Sequence, residues 1–304
     1  MAAFVASVAF GGANSIAVRV SLRELSPFWG ASFRFAIASV VLAVLVFVYR
    51  RRMPRREHLL GIVLFGLLNF GLTYVFLYNG LRQAPAGTTS VITALVPLLT
   101  LLLAAAQRVE RFRLVGLAGS LIAAAGIAVV FANQASLDVP LPAMLSLVVA
   151  AALIAETGVI VKRHPPGDPL IATAIALPIG AVFLGGLSIL WGESWVIPTR
   201  GETWLALAYL VVFGSIVVFS LTLYILGRWT ASANSYGFLL MPLVTIALGA
   251  ALLGEAVQPA FVVGGALVLS GVYVGAVWRP WSGGPTALGV PATPGVPSAE
   301  IDGA

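Results

Sequence analysis

Long runs of hydrophobic residues, separated by short polar connectors, dominate the chain. A helix rises about 1.5 Å per residue and the hydrocarbon core of a bilayer is about 30 Å thick, so a span needs about 20 apolar residues. The pattern predicts an all-α polytopic membrane protein with ten transmembrane helices, numbered here as spans 1 to 10: 2–20, 28–49, 59–81, 86–107, 114–132, 142–161, 170–191, 204–226, 232–253 and 259–278.

An internal repeat organises these spans. Residues 86–126 match residues 231–271 without a gap when the chain is shifted by 145 positions. Only matches between the rarer residue types carry weight in so apolar a chain, and six agree: Ser90/Ser235, Pro97/Pro242, Thr100/Thr245, Glu110/Glu255, Gly119/Gly264 and Gly126/Gly271. Each copy has an odd number of spans, so the second enters the membrane in the opposite direction. We therefore predict two inverted five-helix repeats, 1–135 and 136–278, an arrangement common in secondary transporters.

Composition supports the membrane assignment. Hydrophobic residues make up 60% of the chain and charged residues 9%, and the mean hydropathy is +1.03. Cysteine is absent, which excludes disulfides and cysteine-based metal sites. The net charge of +6 comes from arginines in short loops, so we predict no nucleic-acid partner. The Pro/Gly-rich residues 279–304 are predicted to form a disordered cytoplasmic tail.

The basic residues also predict the orientation. The loops after spans 2, 4, 6 and 8 and the C-terminal flank hold 12 of the 17 Lys and Arg residues, whereas the other side holds 4. The positive-inside rule then places both termini in the cytoplasm, in a bacterial-type inner membrane. The remaining basic residue is Arg34, inside span 2.

The paired prolines of spans 4 and 9, the glutamate closing each hairpin, the glycine-rich spans 5 and 10, and Arg34 together resemble the EamA-type branch of the drug/metabolite transporter superfamily. The resemblance covers residues 1 to about 278. It implies a ten-helix carrier of small metabolites, commonly amino acids or their relatives, that usually works as an exporter. Glu156 departs from the family pattern, which is uncharged at that place in span 6.

One face of span 4 carries Ser90, Thr93 and Pro97, and the matching face of span 9 carries Ser235 and Pro242. Proline lacks a backbone donor and displaces the carbonyl one turn back, so these faces are candidates for a cavity and the two prolines for bends that gate it. The alternative is close helix packing by small residues and hydroxyls.

Polar and aromatic residues also cluster in spans 3 and 8. Of these, Tyr78, Asn79 and Tyr224 are candidate cavity residues, because apolar cavities use aromatic walls with a few polar groups. Anchoring at the membrane interface is the alternative for the tyrosines.

Two charged residues lie within spans, where charge is costly. Arg34 either faces the bundle, where it finds carbonyls or a carboxylate, or extends to the outer surface. Glu156 matches Asn14 of span 1 when the turns at 26–27 and 168–169 are superposed, so both are candidates for the substrate cavity. Glu156 would hold a cationic group or a coupled proton, and a structural ion pair with Arg163 is the alternative.

The remaining motifs predict structure. Glu110 and Glu255 precede spans 5 and 10 and are expected to cap them. The glycines of those spans are expected to form packing surfaces. No nucleophile and base set, metal-ligand spacing or phosphate loop is present, so we predict neither an enzyme nor a cofactor.

The leading functional hypothesis is a secondary exporter of small polar or amphiphilic metabolites that works by alternating access. A carrier of phosphorylated sugars or nucleotide-sugars is the alternative within the fold, although it calls for several cationic side chains in the cavity. A non-transporting scaffold is the alternative from another class. The expected partners are a small-molecule substrate and the lipid bilayer, and self-association is left open.

Overall fold

A computed structural model describes residues 1–51, 53–84, 86–132, 139–253 and 259–277. Every regular element in these ranges is helical. The α-helices are Ala2–Ser21, Pro27–Val48, Arg56–Phe65, Thr73–Leu81, Ala86–Thr93, Val96–Ala106, Leu114–Val130, Leu141–Arg163, Pro169–Leu190, Gly201–Tyr209, Val218–Leu226, Ala231–Ser235, Gly237–Leu253 and Pro259–Val272, and three π-helical segments are Gly66–Leu72, Leu210–Val217 and Tyr273–Val277.

Across the described ranges, nine helical stretches are long and apolar enough to cross a membrane. The tenth apolar helix, Leu114–Val130, has 17 residues, which is at the lower limit for a span. These helices confirm the predicted all-α polytopic fold, and the numbering of spans 1 to 10 carries over to them.

Local sequence explains where several spans begin. Proline occupies the first turn of spans 2, 6 and 7, where its missing N–H costs nothing because that group has no partner inside the helix. Asp168 caps span 7, since its Oδ1 accepts from the Leu170 nitrogen at 2.9 Å and the Ile171 nitrogen at 3.2 Å.

Spans 5 and 10 meet along glycines. A Cβ placed on Gly119 would lie 2.7 Å from the Gly271 carbonyl oxygen, and one on Gly126 would lie 2.7 Å from the Gly264 carbonyl oxygen. The lower number in one helix faces the higher number in the other, so the two repeated helices run antiparallel. The predicted packing role of these glycines is confirmed.

Spans 2 and 7 form a second antiparallel pair. The Ser32 hydroxyl donates to the Ala181 carbonyl at 2.8 Å, while Ala43 lies beside Ile171 and Ala174 at the other end. Span 2 and span 7 occupy the same position in their respective repeats. When the two repeats are exchanged, span 2 takes the place of span 7 and span 7 that of span 2, so the contact between them is unchanged. The same holds for the glycine contact between spans 5 and 10.

The remaining spans pack in mirrored sets. Span 1 packs against spans 8 and 9, and span 6 packs against spans 3 and 4. Exchanging the two copies converts each set into the other. The contacts therefore follow the two-fold relation that the inverted repeat predicts.

Polar contacts tie the loops together on each side of the bundle. On the arginine-rich side, an Arg51 guanidinium nitrogen lies 3.5 Å from an Asp168 carboxylate oxygen. On the opposite side, Glu193 accepts from the Phe28 and Trp29 nitrogens at 3.3 and 2.8 Å and lies 3.7 Å from an Arg82 guanidinium nitrogen. We call this second set of contacts the Glu193 cluster.

Spans 3 and 8 each contain a π-helical segment at the equivalent position of the repeat, Gly66–Leu72 and Leu210–Val217. Such segments are rare and are often found at functional sites. The hydrophobic pattern of the chain does not predict them. Their coincidence in both copies indicates a feature of the repeated unit.

Candidate functional site

Arg34 faces the inside of the bundle. Its residue surface is 2% exposed, its Nη2 donates to the Tyr74 hydroxyl, and its Cζ lies 4.7 Å from the centre of the Phe35 ring and 5.4 Å from that of Tyr74. Extension to the outer surface is excluded by this burial. The partners expected for it are carbonyls or a carboxylate, and neither bonds to Arg34 among the described residues. Its Nε has no hydrogen-bond partner there.

An aromatic wall stands beside this arginine. Tyr78 is buried, and its ring centre lies 5.7 Å from that of Tyr74 and 5.9 Å from that of Phe28. A cavity of about 10 Å³ opens next to Arg34 and Tyr78. Its remaining walls come from spans 1, 2 and 8 and their connectors: Val18, Ser21, Leu22, Pro27, Gly30, Ala31 and Leu210.

Asn14 lies at the contact between spans 1 and 8. Its amide touches Gly214 in the π-helical segment of span 8, and a Cβ on that glycine would overlap it. The Asn14 Oδ1 is buried and has no hydrogen-bond partner within the part of the chain that the structure describes. Glycine at 214 therefore makes room for a polar side chain that the surrounding protein leaves unsatisfied.

Further unpaired polar atoms lie in spans 3 and 8. Three further atoms are buried and have no hydrogen-bond partner in the described ranges: the Asn69 Nδ2, the Thr73 Oγ1 and the Ser215 Oγ. Asn69 and Ser215 belong to the two π-helical segments, and Thr73 follows the first of them directly. Buried polar groups are normally hydrogen-bonded, so a concentration of unpaired ones indicates a place for water or a ligand.

Glu156 takes a different position. Its Oε2 accepts from the Gln107 Nε2 at 2.6 Å, at the end of span 4. No ion pair with Arg163 is present among the described residues, so the structural alternative is not what this carboxylate does here. Glu156 and Asn14 have separate contacts, one with span 4 and one with span 8.

The helix of span 4 is interrupted before Pro97. The helix ends at Thr93 and resumes at Val96, with Pro97 in the first turn of the second part. The Thr93 hydroxyl donates to the Thr89 and Ser90 backbone carbonyls at 2.9 and 3.1 Å, so the Thr93 side chain is bonded within its own helix.

Span 9 is interrupted at a different point. Its helix breaks at Tyr236 and then continues through Pro242. Ser235 is buried and donates to the Ser232 carbonyl at 2.7 Å. The two prolines thus have unlike surroundings, one after a break and one within a helix.

Asn79 and Tyr224 contact residues other than Arg34. The Asn79 Nδ2 donates to the Ser146 Oγ at 2.8 Å and joins span 3 to span 6. Tyr224 is 41% exposed near the end of span 8, and the Arg228 Cζ lies 3.7 Å from the centre of its ring.

The prediction that Glu110 caps span 5 is wrong. Glu110 accepts from the Ala231 nitrogen and, at 2.6 Å, from the Ser232 hydroxyl, so it caps span 9 in the other repeat. Arg113 occupies the N-cap position of span 5, and its side chain makes no capping hydrogen bond. The error arose because sequence proximity favoured the next helix, whereas the fold brings a more distant helix start within reach. Glu255 lies outside the described residues.

Comparisons with known proteins agree with this architecture. The model of the EamA-like transporter family matches residues 1–132 and 141–276. A probable terminal-alkyne amino-acid exporter of Streptantibioticus cattleyicolor is 30% identical over 84% of this chain and 86% of its own. A probable amino-acid metabolite efflux pump of Salmonella typhimurium is 28% identical over 86% and 90%.

One solved crystal structure shares the fold, with a TM-score of 0.76 and 22% identity over 90% of this chain and 94% of the other. The family match covers both halves of the chain and most of its length. The helices, their mirrored packing and the matched residues lead to one conclusion: this multi-pass membrane protein belongs to the EamA-like transporter family.

Proposed function

We propose that the protein is a secondary exporter of small polar or amphiphilic metabolites such as amino acids, and that it works by alternating access. The observation that carries the proposal is a fold of two inverted repeats in which spans 1, 3 and 8 contain buried polar atoms with no hydrogen-bond partner among the described residues. Inverted copies can exchange conformations and so open one central site to either side in turn. The relatives named as an amino-acid exporter and an efflux pump support this substrate class.

The same proposal gives roles to the candidate residues. Asn14, Arg34 and Tyr78 contribute to the substrate cavity near spans 2 and 8. Glu156 supplies a carboxylate within a span whose described partner is a neutral amide, so it is available to a substrate ammonium group or a coupled proton. Ser90, Thr93, Ser235, Asn79 and Tyr224 remain candidate lining residues, and Pro97 and Pro242 remain candidate gating residues.

The distribution of basic residues supports an orientation with both termini in the cytoplasm and a location in the inner membrane. Export then means that substrate enters from the arginine-rich side. On the opposite side, the Glu193 cluster joins the start of span 2 to the end of span 3.

Counterflow into liposomes tests the proposal. Purified protein is reconstituted in vesicles loaded with one unlabelled amino acid at a time, and uptake of the same labelled compound is followed. We expect accumulation for a subset of the panel. A nucleotide-sugar carrier would instead exchange labelled nucleotide-sugars, and a scaffold would exchange nothing.

A further inference from the structure

Among the residues that the structure describes, no carboxylate lies within ion-pair distance of the buried Arg34 cation. The described ion pairs join other residues, and the partner of Arg34 is the neutral Tyr74 hydroxyl. A charge within the membrane is costly unless an opposite charge or several polar groups compensate it. The Phe35 and Tyr74 rings offset part of this cost through cation–π contacts, but the Nε donor stays unused.

The free donor belongs to a side chain that lines a cavity. The space beside Arg34 is about 10 Å³, which is close to the volume that one water molecule needs. Its walls include Tyr78 and Leu210, and Leu210 is the first residue of the π-helical segment of span 8. A rearrangement of span 8 would therefore change the size of the cavity next to the guanidinium.

We propose that Arg34 binds the carboxylate group of the transported substrate. This inference rests on the proposed export function and narrows it to compounds with a carboxylate. A guanidinium offers a planar set of donors that matches a carboxylate, and the two aromatic rings hold that plane in place. An anionic substrate group would also supply the missing counter-charge inside the membrane.

The first test compares substrates in the unaltered protein. An amino acid that is exchanged in the counterflow panel is compared with its amide, in which a neutral group replaces the carboxylate. We expect the amide to be exchanged with a KM that is higher by about 10- to 100-fold, because a hydrogen bond to a charged group is lost. Equal KM values for the two compounds would overturn the inference and leave the export function standing.

The second test changes the arginine. Arg34→Gln should raise the KM for the amino acid to near that of the amide and abolish the difference between the two compounds. Arg34→Lys keeps the charge and should recover part of that difference. Arg19→Gln, at an exposed position near the end of span 1, is the matched control and should behave like the unaltered protein.

Retained preference for the amino acid in folded Arg34→Gln protein would also overturn the inference. If that variant fails to fold, as judged by gel filtration, the comparison of substrates in the unaltered protein decides alone. Absence of exchange for every amino acid in the unaltered protein would instead overturn the proposed export of amino acids.

Discussion

Glu156 is a carboxylate whose described partner is the side-chain amide of Gln107. Replacing Glu156 with glutamine keeps the shape of the side chain and removes its charge. If this carboxylate holds a substrate ammonium group or a coupled proton, Glu156→Gln should lower flux by about tenfold or more and flatten its dependence on pH. Counterflow between acid and alkaline pH measures both effects.

Glu202→Gln is a suitable control for that variant because Glu202 is exposed at the start of span 8. Both proteins should be present in the membrane at normal amounts. Flux like that of the unaltered protein at every pH in the Glu156→Gln variant would show that Glu156 has no direct part in transport.

Glu24 joins the connector after span 1 to the start of span 8. Hydrogen bonds from the Thr203 and Thr199 hydroxyls, together with backbone N–H groups, lower the pKa of Glu24 from 4.5 to about 2. A carboxylate whose pKa is lowered by folding stabilises the folded state at pH values above its pKa in the unfolded chain. This stabilisation is lost as the pH falls toward and through its pKa in the folded state.

We therefore expect Glu24→Gln to unfold at a lower temperature than the unaltered protein at pH 7. The difference should shrink as the pH is lowered from about 4.5 toward 2. Thermal unfolding in detergent over this range measures it. A difference that stays constant down to the lowest pH would contradict the assignment.

Among the helical elements, the two prolines test whether equivalent elements act on opposite faces. Pro97 follows a break and Pro242 lies within a helix, so their replacement by alanine removes different constraints. We expect both variants to change the rate of transport more than the affinity, with access altered on opposite sides. Unchanged transport in both would leave only packing for these residues, and Pro140→Ala before span 6 serves as the control.

The glycine contact between spans 5 and 10 predicts an effect on stability. A Cβ on Gly275 would collide with the hydroxyl of Tyr236, which bonds to the Gly116 carbonyl at 3.0 Å. Gly275→Ala should therefore cost about 1 to 3 kcal/mol of stability, as overpacking usually does. Thermal unfolding measures the loss, and Gly186→Ala is the control because a Cβ there meets nothing within 4 Å. Equal stability of the two variants would show that Tyr236 can move at little cost.

The elements also show what sequence reasoning can reach. The spans, the repeat and the packing role of the glycines can be predicted because they depend on the hydrophobicity and identity of residues within a short stretch of sequence. The π-helical segments and the partner of Glu110 depend on which distant helices meet, and single residues do not reveal that. Burial of Arg34 follows from the cost of charge in a membrane, but its partner Tyr74 is set by the relative rotation of spans 2 and 3.

For the whole molecule, the natural absence of cysteine gives a direct test of orientation. Single cysteines at Ser194 and Glu57 lie on opposite sides of the bundle. With both termini in the cytoplasm, the cysteine at 194 should react with a membrane-impermeant maleimide in intact cells, and the cysteine at 57 only after the cells are opened. The reverse labelling pattern would show that both termini lie outside the cytoplasm and that the proposed orientation is wrong.

The two pairs that match themselves, spans 2 with 7 and 5 with 10, have a mechanical consequence. When the two inverted repeats exchange conformations, every other contact must change into its equivalent in the other repeat, but these two contacts can stay as they are. They would then act as stationary walls, while spans 1, 3, 4, 6, 8 and 9 rock between them. A covalent bridge across either wall should let the carrier cycle, whereas one between spans 1 and 9 should lock it.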